Sequence, residues 1–168
     1  GKIYWTEIVP GLRWTHENYS VLKCYDLKEG RIKSITPRQR YLSPSVDKNG
    51  KVAAVSRTTV DGKNQLVLVE LEDGKELFAF QVPGNAFIKE LTFTDQDEVV
   101  AVAVTDAGIS LLQFTPSSGQ WEELLSTASV NITSPVWKDG RIYFESGANG
   151  TNNLYCLDLA DHQVYRLT

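Results

Sequence analysis

A catalytic centre needs a nucleophile, a base and an orienting group brought together, and the residue types that could supply them are sparse here. The sequence holds two histidines, His16 and His162, and two cysteines, Cys24 and Cys156. Neither pair has the spacing of a zinc site or of a disulfide framework, so both cysteines are expected to be free. No Gly-x-Ser-x-Gly elbow and no His-Glu-x-x-His motif occurs. Six of the ten aspartates fall in segments that read as turns: Asp47, Asp73, Asp95, Asp97, Asp139 and Asp161. Asp26 and Asp158 end two matching segments, where a carboxylate is expected to bond to the turn that follows. A residue needed in every repeat serves the scaffold, whereas a catalytic residue is usually unique. These patterns predict a chain without catalytic activity, metal or cofactor.

The remaining candidates are arginines. Four of the seven, Arg13, Arg38, Arg40 and Arg57, lie in or beside segments that link strands at one rim of the expected sheets, together with Trp14 and His16 in the long loop 8–19. Guanidinium groups beside an aromatic ring suit a carboxylate or an acidic peptide. Glu17, Asp61 and Asp106 at the same rim dilute the positive field, so ordinary surface charge is the competing reading. Trp14 either joins the binding rim or packs down onto its sheet. Loop 8–19 is longer than its counterparts, and long loops on rigid scaffolds are where function concentrates.

Composition narrows the classes. The 168 residues carry a net charge of −4 and are 42% hydrophobic and 23% charged. That balance folds, and it lacks the basic excess that a nucleic-acid-binding module needs. No apolar run approaches the roughly 20 residues of a membrane span. The absence of any Met, including at position 1, predicts a processed or excised chain.

The elements that position these residues repeat. Gly1-Lys2-Ile3-Tyr4-Trp5 recurs as Gly140-Arg141-Ile142-Tyr143-Phe144, with further copies around Val52 and Val99. Ile3, Val52, Val99 and Ile142 align at intervals of 49, 47 and 43 residues, within the range of a four-stranded propeller blade. A second element, Val21-Leu22-Lys23-Cys24-Tyr25-Asp26-Leu27, matches Asn153-Leu154-Tyr155-Cys156-Leu157-Asp158-Leu159 and 65–71. Cys24 and Cys156 thus take the place of Leu68 and read as buried apolar fillers. Turns rich in Gly, Asp and Ser follow each copy and give the reversals that antiparallel neighbours require. Fifteen strands and no helix are expected. The fold class is all-β, with units 1–37 (incomplete), 38–84, 85–129 and 130–168, the first lacking its inner strand.

Ser134-Pro135-Val136-Trp137-Lys138-Asp139-Gly140, followed by Leu154-Tyr155-Cys156-Leu157-Asp158-Leu159 and a closing Leu167-Thr168, resembles the repeat of TolB-like β-propellers. Ser43-Pro44 with Asp47 to Gly50 fills the same place in the second unit, whereas 93–98 departs from it. The resemblance implies a β-propeller arc of about four four-stranded blades, part of a larger propeller whose remaining blades, or a second copy, cover the end faces. It implies a non-catalytic scaffold for a protein or peptide, in the bacterial cell envelope or periplasm. The alternative it implies is the accessory propeller of a prolyl-oligopeptidase-like or tricorn-like peptidase, restricting access to a catalytic domain outside this chain. Such motifs are structural, and fold alone does not fix function.

Overall fold

The computed structural model describes residues 1–10, 18–127, 130–147 and 150–168, and among these fifteen strands run as four antiparallel meanders. The first contains β1 (Lys2–Pro10), β2 (Asn18–Asp26) and β3 (Arg31–Ser34). The second contains β4 (Tyr41–Val46), β5 (Val52–Thr58), β6 (Asn64–Glu70) and β7 (Glu76–Gln81). The third contains β8 (Phe87–Phe93), β9 (Val99–Thr105), β10 (Gly108–Thr115) and β11 (Gln120–Thr127). The fourth contains β12 (Ile132–Lys138), β13 (Arg141–Ser146), β14 (Asn153–Asp158) and β15 (Gln163–Arg166). Within each sheet every strand pairs with its neighbour in sequence, giving one three-stranded and three four-stranded sheets. The chain divides into two compact units, Gly1–Gln81 and Val82–Thr168, each holding two of these sheets.

In the first unit, Leu22 and Tyr4 of the first sheet pack against Tyr41, Ala53, Val55, Val67, Val69 and Leu71 of the second. In the second unit, Val100, Val102 and Leu111 meet Ile132, Ile142, Phe144 and Leu157. Apolar burial between sheet faces is the main stabilising contribution, at about 25 cal/mol per Å² removed from water.

Backbone bonds at the turns set the register between repeats. Leu27 donates to the Gly1 carbonyl, Leu71 to that of Lys51 and Leu159 to that of Gly140. Gly1, Lys51 and Gly140 are therefore equivalent, and the counterpart of Ile3 and Ile142 is Ala53, not the Val52 expected from the sequence. The shift comes from the turn between the first two strands of each sheet. Four residues separate Trp137 from its partner Ile142, whereas six separate Val46 from Ala53. Side chains alternate across a strand, so the one-residue offset between Val52 and Ala53 exchanges the two faces.

The Ser-Pro dipeptides form β-bulges. Pairing shifts between Leu42 and Ser45 and between Thr133 and Val136, and the serines take left-handed backbone angles, with φ of 49° at Ser43 and 54° at Ser134. The extra residue bends the strand at that point. The closing Leu-Thr has an equally local cause. Thr36 Oγ1 accepts the Leu22 N–H at 3.0 Å, and Thr168 Oγ1 accepts the equivalent Leu154 N–H at 2.9 Å. Each hydroxyl supplies an acceptor where the short outer strand has ended. Gly74 turns the chain at φ +75°, and a Cβ there would lie 2.0 Å from the Ile35 carbonyl oxygen. Only glycine admits that approach.

Candidate rim site

The linker from β3 to β4 is held along β2 as a continuous strip. Ile35 N–H donates to the Leu22 carbonyl at 2.8 Å, Gln39 and Ser20 exchange backbone hydrogen bonds of 2.8 and 2.6 Å, and the buried Ser20 hydroxyl donates to the Tyr41 carbonyl at 2.6 Å. Arg38 and Arg40 flank Gln39 on this strip, Arg38 exposed and Arg40 half-buried. The Arg38 guanidinium carbon stands 6.0 Å from the centre of the Tyr19 ring. Such a stack is worth about 0.5–1 kcal/mol at an exposed position, and it holds a positive charge at the rim.

Arg57 makes different contacts. Its Nη1 donates to Glu76 Oε1 at 2.6 Å, while Nε and Nη2 donate to Gln65 Oε1 at 3.1 and 2.9 Å. The same guanidinium lies 5.9 Å from the Tyr41 ring, and the Tyr41 hydroxyl also donates to Glu76. Only 18% of the Arg57 side chain is exposed, so its donors are spent inside the sheet face. Burial, followed by the Glu76 carboxylate, pushes the Tyr41 phenol well above its ordinary value, against a smaller opposing effect of Arg57. Tyr41, Gln65, Glu76 and Tyr19 were not singled out by sequence, because their roles depend on strand pairing and packing. Arg13, Trp14 and His16 lie outside the described residues.

The turn carboxylates are engaged with backbone. Asp26 accepts the N–H groups of Lys28 and Glu29 at 2.9 and 3.2 Å, and these bonds hold its carboxyl below the usual range. Asp158 accepts the Ala160 N–H at 2.9 Å and pairs with Arg141 at 2.8 Å, with the same result. Burial alone would raise Asp47, but donation from Val52, Lys51 and Asn49 outweighs it and leaves the carboxyl lowered. Cys24 and Cys156 are free and buried. Burial pushes the Cys156 thiol up, away from the reactive thiolate form. Among the described residues, no helix is long and apolar enough to cross a membrane.

No protein-family model matches the sequence, and no curated protein sequence matches it. Solved structures do match its fold. TolB from Acinetobacter baumannii superposes with a TM-score of 0.74 at 18% identity, over 89% of this chain and 37% of that one. The β-propeller domain of the Trilobed protease from Pyrococcus furiosus gives 0.64 at 12% identity, over 99% and 53%. Puromycin hydrolase gives 0.70 at 13% identity, over 100% and 29%. This chain thus spans between about a third and a half of the length of these structures. Four consecutive antiparallel meanders, repeat-equivalent turns and these superpositions agree: the chain has the TolB-like β-propeller fold.

Proposed function

We propose that this chain is a non-catalytic propeller scaffold that binds an acidic protein or peptide segment at the rim carrying Arg38 and Arg40. The observation that carries the reading is the Arg38–Tyr19 stack on a strip fixed by backbone bonds to β2. A pre-positioned guanidinium loses little freedom when it pairs with a carboxylate, and its planar fork permits bidentate contact. Arg57 serves the site from behind, through Tyr41 and Glu76, rather than by touching the ligand. The likeness to TolB supports a bacterial cell-envelope location. The test is binding of a fluorescent glutamate-rich peptide in low salt. Arg38→Ala with Arg40→Ala should weaken it about tenfold, and unchanged affinity would sink the rim assignment.

A second reading is supported by the peptidase propellers among the similar structures. In it the chain is the accessory propeller of a peptidase and restricts substrate access to a catalytic domain encoded beside it. Sequencing the parent reading frame separates the two. A neighbouring hydrolase domain favours the second reading, and further propeller repeats alone favour the first.

A further inference from the structure

We infer that the second unit holds a binding cavity for one uncharged aromatic ring, set between its two sheets at a place that the first unit fills with its own side chains. The cavity measures about 210 Å³. Leu125 of the third sheet lines one side, and Ile132, Phe144, Ser146, Tyr155 and Val164 of the fourth sheet line the other. Val164 is 42% exposed and marks the mouth. Every side chain lining the cavity is uncharged.

The first unit shows what this space can hold. Ala53 and Ile142 are equivalent, so strand pairing transfers the neighbouring positions. Two residues on, Val55 corresponds to Phe144, and their partners are Val67 and Tyr155. Four residues on, Arg57 corresponds to Ser146, and they pair with Tyr41 and Ile132. Glu76 pairs with Val69 and Val164 with Leu157, which makes Glu76 and Val164 equivalent as well. In the first unit Tyr41 is buried with Val55, Val67 and Val69, and its hydroxyl and the Arg57 guanidinium meet on Glu76. In the second unit Ile132, Ser146 and Val164 stand in those three places, so the phenol, the guanidinium and the carboxylate are all missing. Phe144 and Tyr155 are larger than the valines they replace and take back part of the volume, as rings stacked 5.8 Å apart at 14°. What they leave is the cavity.

The lining selects the ligand. A charged group would lose hydration there and find no opposite charge among the lining side chains, so an ion is rejected. Apolar cavities of about 150 Å³ accept a benzene-sized ring, and this one is of that order. The Phe144–Tyr155 stack supplies an aromatic wall, against which a further ring packs in offset or edge-on contact. A free one-ring compound and the side chain of a peptide phenylalanine carry this same chemistry.

The test is a titration of the full chain, labelled with carbon-13 at its methyl groups, with benzyl alcohol and with a capped Gly-Phe-Gly peptide. A ligand of this size is expected to bind with a Kd of about 1 mM. The methyl signals of Leu125, Ile132 and Val164 should shift saturably and show nuclear Overhauser contacts to the ring protons of benzyl alcohol. Benzoate and benzylammonium should bind at least about tenfold more weakly. Val164→Phe, at a half-exposed position, should fill the cavity from its mouth and weaken benzyl alcohol at least about tenfold. Binding of the peptide as well assigns the site to a phenylalanine side chain, and binding of benzyl alcohol alone assigns it to a free compound. Absence of saturable shifts at those methyl groups in the parent chain overturns the proposal whether or not the variant folds. Equal binding of the charged analogues, or undiminished binding by a folded Val164→Phe variant, overturns it too.

Discussion

Replacing Arg57 by Ala tests whether the arginine belongs to the interior of its sheet or to the rim. The substitution removes one hydrogen bond to Glu76 and two to Gln65, together with the guanidinium beside the Tyr41 ring. A hydrogen bond to a charged group contributes about 1.5–3 kcal/mol. The side-chain exposures of 18% for Arg57 and 34% for Glu76 admit enough solvent to place the ion pair near the bottom of that range. The ring contact adds about 0.5 kcal/mol. A net loss of about 2–2.5 kcal/mol is expected, since water re-enters and solvates Glu76 in part. Native-state hydrogen exchange is the suitable assay because it reads the first unit without assuming that the whole chain unfolds in one step. The amides of Val67 and Val69, in the core of that unit, should exchange about 30- to 70-fold faster in the variant. Arg38→Ala, at an exposed position, should leave those amides unchanged. Exchange in Arg57→Ala within about twofold of the parent would refute the reasoning and return Arg57 to the pool of free rim charges.

Tyr41→Phe should remove an alkaline sensitivity. The folded-state pKa of Tyr41 lies above the unfolded value near 10, so its contribution is complete below about pH 10 and is lost as the pH rises toward the folded value. The parent should therefore lose up to about 1.4 kcal/mol per pH unit more than the variant above pH 10, read from urea midpoints at pH 8, 10 and 11; parallel losses would contradict this. Gly74→Ala should destabilise the first unit by more than about 2 kcal/mol. The turn has a positive φ and the new Cβ would overlap the Ile35 carbonyl oxygen. An unchanged urea midpoint would show that the Ile35–Gly74 approach is not maintained in solution.

The strands were legible because each repeat states its pattern locally. Gly1-Lys2-Ile3-Tyr4 and Gly140-Arg141-Ile142-Tyr143 share a turn, an apolar alternation and a partner strand. The Leu-Thr ending was legible as a motif, and its cause, a hydroxyl accepting a strand N–H, needed coordinates. Aligning Val52 with Ile3 and Ile142 falls one residue out of register because turn length varies between repeats, and no pattern within β5 shows which of its apolar residues faces which neighbour. All four residues from Ala53 to Ser56 are buried, so alternation is lost there. The rim was legible only in part. Arg38 announces itself as an arginine in a linker, but its ring partner Tyr19 lies across the strip. The partners of Arg57 come from β6 and β7, and β7 is not even adjacent to β5 in the sheet. Sequence separation of 19 residues between Arg57 and Glu76 hides a contact that only strand order creates.

The central claim, an acidic-segment site on a propeller rim, is tested most directly by mapping the site in solution. Amide chemical shifts of the isotopically labelled chain are followed during titration with a glutamate-rich peptide in low salt. Saturable shifts concentrated at Tyr19, Ser20 and residues 38–41 are expected, and they should be lost in Arg38→Ala with Arg40→Ala. Shifts that cluster elsewhere, or that persist unchanged in the double variant, would contradict it.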